Sequence, residues 1–191
     1  MNKTDLAILL SEGLDAHRRL LDESQPIIIR VAEELLACLR RGNKILLCGN
    51  GGSAADAQHV AAEIVGRYTR ERKGWPAIAL TTDTSILTAV GNDYGYEKIF
   101  ARQVEALATA GDVVVGISTS GNSPNVLLAL DEARKIGCKT IGFTGGSGGR
   151  LSGVCDVCFT APAKKTPNIQ ELHMVVWHAV CDWVEAAMVE G

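Results

Sequence analysis

Apolar runs at residues 44–48, 77–80, 113–117, 140–143 and 154–159 are long enough for buried strands and too short for helices. Stretches with helical periodicity at 99–110 and 124–136 fall between them. Strands that alternate with helices are joined by crossover connections, so the pattern predicts an α/β fold built on a doubly wound, five-stranded parallel sheet. Two helices precede the first strand. Ile8, Leu9, Leu14, Leu20 and Leu21, then Ile27, Val31, Leu35, Leu36 and Leu39, recur at helical spacing, with Pro26 near the start of the second helix and Gly42 past its end. From about residue 168 to 189 the pattern turns helical again. No linker, repeat or low-complexity segment intervenes. Residues 1–191 are therefore read as one domain, with 1–42 a helical extension and 43–191 the α/β core and C-terminal helix.

A composition that is 47% hydrophobic gives a chain of this length enough apolar material for one sizeable core. The net charge of -3 supplies no basic field for nucleic acid. No apolar run reaches the roughly 18 residues needed to cross a bilayer, so no membrane partner is expected. The first residues, Met1-Asn2-Lys3-Thr4-Asp5, lack the features of a signal peptide, and a cytoplasmic location is expected. Cys38, Cys48, Cys138 and Cys181 sit singly in apolar segments and read as reduced, buried thiols. Cys155 and Cys158 have C-x-x-C spacing. A strand over 154–159 puts their side chains on opposite faces, so the pair reads as structural.

Chemistry concentrates in two loops. In the first, Gly49-Asn50-Gly51-Gly52-Ser53 joins the strand ending at Cys48 to an Ala-rich helix, at the strand end where open α/β sheets bind ligands. The spacing is neither G-x-G-x-x-G nor a P-loop, which discounts dinucleotide binding and nucleotide hydrolysis. In the second, Ser118-Thr119-Ser120-Gly121-Asn122-Ser123 follows a strand and opens a helix at Pro124. Four hydroxyls at a helix N-terminus suit a phosphate monoester without needing lysine. The alternative is that Ser123 merely caps the helix.

On the helix after Ser53, His59 and Glu63 share one face. That spacing suits two metal ligands, though it more often marks a surface hydrogen bond. Gln170 and His178 lie about two turns apart on one side of the C-terminal helix. His173 reads as a solvated or interface residue. His178, inside the apolar run 175–180, needs a partner if it is buried.

Taken together, Gly49-Asn50-Gly51-Gly52-Ser53, His59-x-x-x-Glu63 with Gly66-Arg67-Tyr68, Gly91-Asn92-Asp93-Tyr94-Gly95, Ser118 to Ser123 and Ile169-Gln170-Glu171-x-His173 resemble the SIS-domain proteins, and within them the phosphoheptose isomerases. The resemblance runs nearly end to end. One departure is Asn168, where many relatives carry a basic residue. The resemblance implies a flavodoxin-like SIS sheet and conversion of sedoheptulose 7-phosphate to D-glycero-D-manno-heptose 7-phosphate. It implies that Ser118, Thr119, Ser120 and Ser123 hold the phosphate. It further implies that Asn50, Gly51, Gly52, Ser53, Glu63, Asn92, Asp93 and Gln170 meet the sugar, and that His59, Glu63, Gln170 and His178 hold one zinc per subunit. It also implies a homotetramer with the site shared between protomers, and a product destined for lipopolysaccharide or surface polysaccharide.

Aldose–ketose exchange through an enediol needs a carbon base and a proton shuttle between two oxygens. Glu63 fits the first and His178 the second, although the roles could be exchanged. No lysine falls in the matched motifs, which argues against a Schiff base. Two alternatives remain: a non-catalytic SIS adaptor that binds a replication initiator, and an isomerase of another sugar phosphate. The apolar stripes of the terminal helices have no evident internal partner, so self-association is expected.

Overall fold

A computed structural model describes residues 3–190; residues 1, 2 and 191, at the ends of the expected single domain, lie outside the described residues. Five parallel strands form one sheet: β1 (Ile45–Gly49), β2 (Ala77–Ala79), β3 (Val113–Ile117), β4 (Lys139–Gly145) and β5 (Val157–Ala161), in the order β2-β1-β3-β4-β5. Ile45 stands opposite both Ala77 and Val113, Val113 opposite Lys139, and Ile141 opposite Val157.

Strands buried on both faces must be apolar throughout, and β1 and β3 are buried at every position. Ile45, Leu47, Val113, Val115 and Phe143 point to one side. There they meet α2 (Gln25–Arg40), α3 (Gly52–Val65) and α7 (Thr166–Val189). Trp177 of α7 stacks on Phe143 with ring centroids 4.3 Å apart. Leu46, Cys48 and Val114 point to the other side, toward Phe100, α5 (Ala101–Leu107) and α6 (Pro124–Ile136). The crossover from β1 runs outward to β2, and the next one returns past β1 to β3, so the direction of winding reverses between β1 and β3. The crevice of this doubly wound sheet therefore opens where Gly49 and Ile117, the last residues of β1 and β3, lie side by side.

The helical preface consists of α1 (Lys3–Glu23) and α2, both packed against α7. Leu6, Ile8, Leu10, Leu14 and Leu21 of α1 are each at least half exposed, as are no comparable side chains of the inner helices α2 and α6. An unpartnered stripe is therefore present on α1, whereas the apolar faces of α2 and of the C-terminal helix α7, expected to lack an internal partner, pack into the core against the sheet. No helix among the described residues is long and apolar enough to cross a membrane.

Several expectations need correction. An additional helix, α4 (Thr84–Tyr94), precedes a 3-10 turn at Tyr96–Lys98, and the helix expected over 99–110 is confined to α5. No residue of α4 is fully buried, so it carries no strong apolar period, and its local signal is the Asp83 carboxylate accepting the Ile86 N–H at 2.9 Å. His173 is fully buried, not solvated. It lies against Phe143 and Phe159, its Nε2 is 2.9 Å from the Thr144 carbonyl, and burial pushes its pKa down to about 4. β5 begins at Val157, so Cys155 precedes the strand and the opposite-face reading fails. Both sulfurs instead converge over Gly142, 2.7 and 3.1 Å from where that residue would carry a Cβ.

Candidate active site

At the end of β1 the chain turns so closely past α7 that a Cβ on Gly52 would stand 2.2 Å from Gln170 Nε2. Glycine here lets the first loop touch the C-terminal helix. Asn50, one residue past β1, exchanges both amide hydrogen bonds with Asn125, at 2.9 and 2.8 Å, and its Oδ1 also accepts the Tyr96 hydroxyl at 3.0 Å. Asn125 is buried and is the second residue of α6, directly behind the serine loop. The two loops are thus fastened to each other by a pair of amides.

In the serine loop, Ser118 Oγ and Ser123 Oγ lie 2.9 Å apart. Ser123 occupies the N-cap of α6, yet its side chain makes no capping bond, so its hydroxyl is turned into the loop and the capping alternative is not the one observed. Ser120 Oγ accepts the Asn122 N–H at 3.2 Å, and the Asn122 amide oxygen accepts the Arg150 N–H at 3.1 Å. The glycine-rich turn after β4 therefore backs the serine loop. The positive end of α6 points into this ring of hydroxyls, an arrangement that favours a dianion.

The third element lies between α3 and α7. His59 Nε2 is 3.2 Å from His178 Nε2 and 3.3 Å from Glu63 Oε1. His178 is half-buried and has found the partner its apolar surroundings demand. The Tyr68 ring stands 5.9 Å from the His178 ring. One turn before His59, burial raises the pKa of Asp56, His59 opposes that shift, and Asp56 Oδ2 has no hydrogen-bond partner.

Two donors each about 2.0–2.1 Å from a tetrahedral zinc stand about 3.3 Å apart, so both pairs meeting at His59 have the spacing of co-ligands. No three His, Cys, Asp or Glu side chains among the described residues form a closed metal-holding group. Gathering Glu63 and His178 onto one ion with His59 and Gln170 therefore calls for side-chain adjustment.

Asn92 and Asp93 behave differently from the other expected sugar contacts. Both are exposed at the end of α4, where Asn92 Nδ2 donates to Asp93 Oδ1 at 2.8 Å. Asn125 and Tyr96 are site residues that the motifs did not supply. Asn125 adjoins the serine motif and could have been suspected, whereas nothing local marks Tyr96.

A family model of the SIS domain matches residues 10–145. The phosphoheptose isomerase of Roseiflexus sp. (strain RS-1) is 56% identical over 181 residues, which cover 95% of this chain and 92% of that one. The solved phosphoheptose isomerase from Neisseria gonorrhoeae superposes with a TM-score of 0.92 at 44% identity, covering 96% of this chain and 98% of the other. That from Francisella tularensis gives 0.93 at 38% identity, covering 97% and 99%. The chain belongs to the SIS-domain phosphoheptose isomerase family.

As an isomerase of this family, the protein carries its two loops at one end of the sheet, and the Asn50–Asn125 pair holds that end together. Asn125→Leu removes both amide hydrogen bonds and leaves the Asn50 N–H₂ without its partner in a partly buried setting, while Asn50 Oδ1 keeps the Tyr96 hydroxyl. The expected cost is about 1–3 kcal/mol, since an unpaired buried polar group loses its full desolvation energy. A thermal melt should fall by several degrees, by about 2–4 °C per kcal/mol for a chain of this size. An unchanged melting temperature would show the amide pair to be incidental.

Proposed function

We propose that the chain interconverts sedoheptulose 7-phosphate and D-glycero-D-manno-heptose 7-phosphate through an enediol(ate). The observation that carries this reading is the meeting of Glu63, His59 and His178 between α3 and α7, in a chain that also carries the ring of hydroxyls in the serine loop. In the ketose-to-aldose direction, the Glu63 carboxylate takes a proton from C1 as the C1–C2 double bond forms, and His178 gives a proton to O2. Glu63 then returns a proton to C2 while His178, which gave its proton to O2, takes the O1 proton and C1 becomes the carbonyl carbon. Ser118, Thr119, Ser120 and Ser123 grip the distant phosphate, so its binding energy orients the reacting carbons. Asn50 and the backbone of Gly51, Gly52 and Ser53 face the sugar, and Asn92 and Asp93 reach it from α4.

We further propose that His59, Glu63, Gln170 and His178 hold a zinc ion, which when bound polarises the substrate carbonyl. The spacing of the two donor pairs supports this. The exposed α1 stripe supports a homotetramer, with sites shared between protomers. A heptose phosphate substrate fits the relatives' names, and with it we propose a cytoplasmic enzyme that supplies heptose for surface polysaccharide. Against the adaptor alternative stands the intact acid/base cluster.

The test is NMR observation of aldose formation from sedoheptulose 7-phosphate by the pure protein, with and without chelator. Turnover that the chelator suppresses and zinc restores is the expected result. Turnover indifferent to chelation would remove the zinc proposal alone. Absence of turnover from folded, zinc-loaded protein would overturn the substrate assignment.

A further inference from the structure

Glu185 lies seven residues beyond His178, about two turns along α7 on the same side. Its carboxylate is only 1% exposed yet carries an unusual number of donors. It accepts the backbone N–H groups of Tyr68, Thr69 and Arg70 at 2.8, 2.7 and 2.7 Å, the Thr69 hydroxyl at 3.2 Å and Arg72 Nε at 3.0 Å. Burial alone pushes this carboxyl up, but the three backbone N–H groups and Arg72 outweigh it and bring its pKa down to about 2.

Arg72 continues the connection. Its guanidinium lies 3.6 Å over the Trp75 ring and donates to the carbonyls of Glu63, Ile64, Gly66 and Lys73 at 2.9, 3.0, 3.1 and 3.1 Å. Those of Glu63 and Ile64 belong to the last turn of α3, whose carbonyls have no partner within the helix. A single buried ion pair therefore joins the C-terminus of the helix carrying His59 and Glu63 to the helix carrying Gln170 and His178. It also holds the segment that presents the Tyr68 ring to His178.

Burying an ion pair is an expensive way to hold two helices together, because apolar packing of equal volume is commonly as stable. What the pair adds is direction. A two-headed guanidinium anchored on a five-fold-bonded carboxylate fixes the rotation and the separation of α3 against α7, which apolar contacts leave soft. We propose that Glu185 and Arg72 are positioning residues that set the geometry of the His59–Glu63–His178 cleft. The inference rests on the reading of that cleft as the place of reaction. It concerns turnover and not the phosphate grip, because the serine loop is built on β3 and α6.

Three variants test it. Glu185→Gln keeps the shape but turns an amide N–H₂ toward groups that are all donors. Arg72→Met removes the fork, and the third variant combines both changes. For each, kcat per folded molecule is expected to fall about 10–100-fold, the scale on which an ångström of misplacement acts, with KM changed by less than about threefold. The double variant is expected to lose no more than the worse single, because the two residues act as a unit. If Glu185→Gln fails to fold, Arg72→Lys serves: it keeps the charge but cannot span Glu185 and the α3 carbonyls, and the same kcat-only loss is expected.

A merely structural role would lower the melting temperature and the folded fraction but leave kcat per folded molecule within about twofold of wild type. That outcome overturns the proposal, as does a loss carried by KM. Glu63→Gln is assayed alongside. If it is inert while the Glu185 and Arg72 variants run at full rate, the positioning proposal alone fails. If it retains wild-type turnover, the cleft is not the reaction site and both readings fall.

Discussion

Glu63→Gln is expected to lower kcat by at least about 10³-fold while leaving the protein folded. General base catalysis contributes about 10²–10⁴-fold, and an enediol route has no substitute for the group that takes the carbon-bound proton. The change is close to isosteric. Glu63 is about a quarter exposed, and its contact with His59 at 3.3 Å can be kept by an amide oxygen, so no charge is stranded in the core. The expected melting temperature is accordingly within a few degrees of wild type. Solvent exchange separates this prediction from a general loss of function. In deuterated water the wild-type enzyme should place deuterium on C1 of residual ketose and on C2 of the aldose, because the carboxyl exchanges its proton with solvent. The variant should incorporate none. Wild-type kcat, or normal deuterium incorporation at reduced kcat, would remove Glu63 from the role of carbon base.

How far the sequence reaches toward this site depends on how local each signal is. The buried strands are legible because every residue of β1 and β3 is apolar, and the two loops are legible because glycines and serines cluster at strand ends. α4 escapes because it buries no side chain completely, leaving a cap at Asp83 as its only mark. The burial of His173 is not legible, since burial of a neutral imidazole depends on Thr144, Phe143 and Phe159, all remote in the chain. The same holds for the site's supports. Asn50 and Asn125 are 75 residues apart, and Glu185 and Arg72 are 113 apart, so no local pattern links them. The groups proposed to do chemistry announce themselves by residue type and spacing. Those that hold them in place are ordinary asparagines, glutamates and arginines until the fold brings them together.

Gly121→Ala should be nearly as damaging as loss of the base, by a different route. Gly121 has φ +67°, where an L side chain costs about 1 kcal/mol relative to glycine. That strain is the smaller part. A Cβ at this position would stand 2.0 Å from the Gly148 carbonyl oxygen and 2.8 Å from Thr144 Oγ1. The nearer obstacle is backbone, so no rotamer change relieves it, and either the serine loop or the turn after β4 must move. Gly121 is tied on both sides, its N–H donating to the Ser118 carbonyl at 2.9 Å and its carbonyl accepting the Leu151 N–H at 2.9 Å. Movement therefore spreads to the hydroxyls proposed to hold the phosphate. A shift of about 1 Å in a binding group costs about 10²-fold, so kcat/KM is expected to fall by at least that factor, mainly through KM. Gly146→Ala provides the comparison. Its φ of +59° is similarly left-handed, but an added Cβ would meet nothing within 4 Å. Strain alone should leave its kcat/KM within about fivefold of wild type. If the two alanine variants lose activity equally, backbone strain explains both, and the close contact between the serine loop and Gly148 has no part in holding the phosphate.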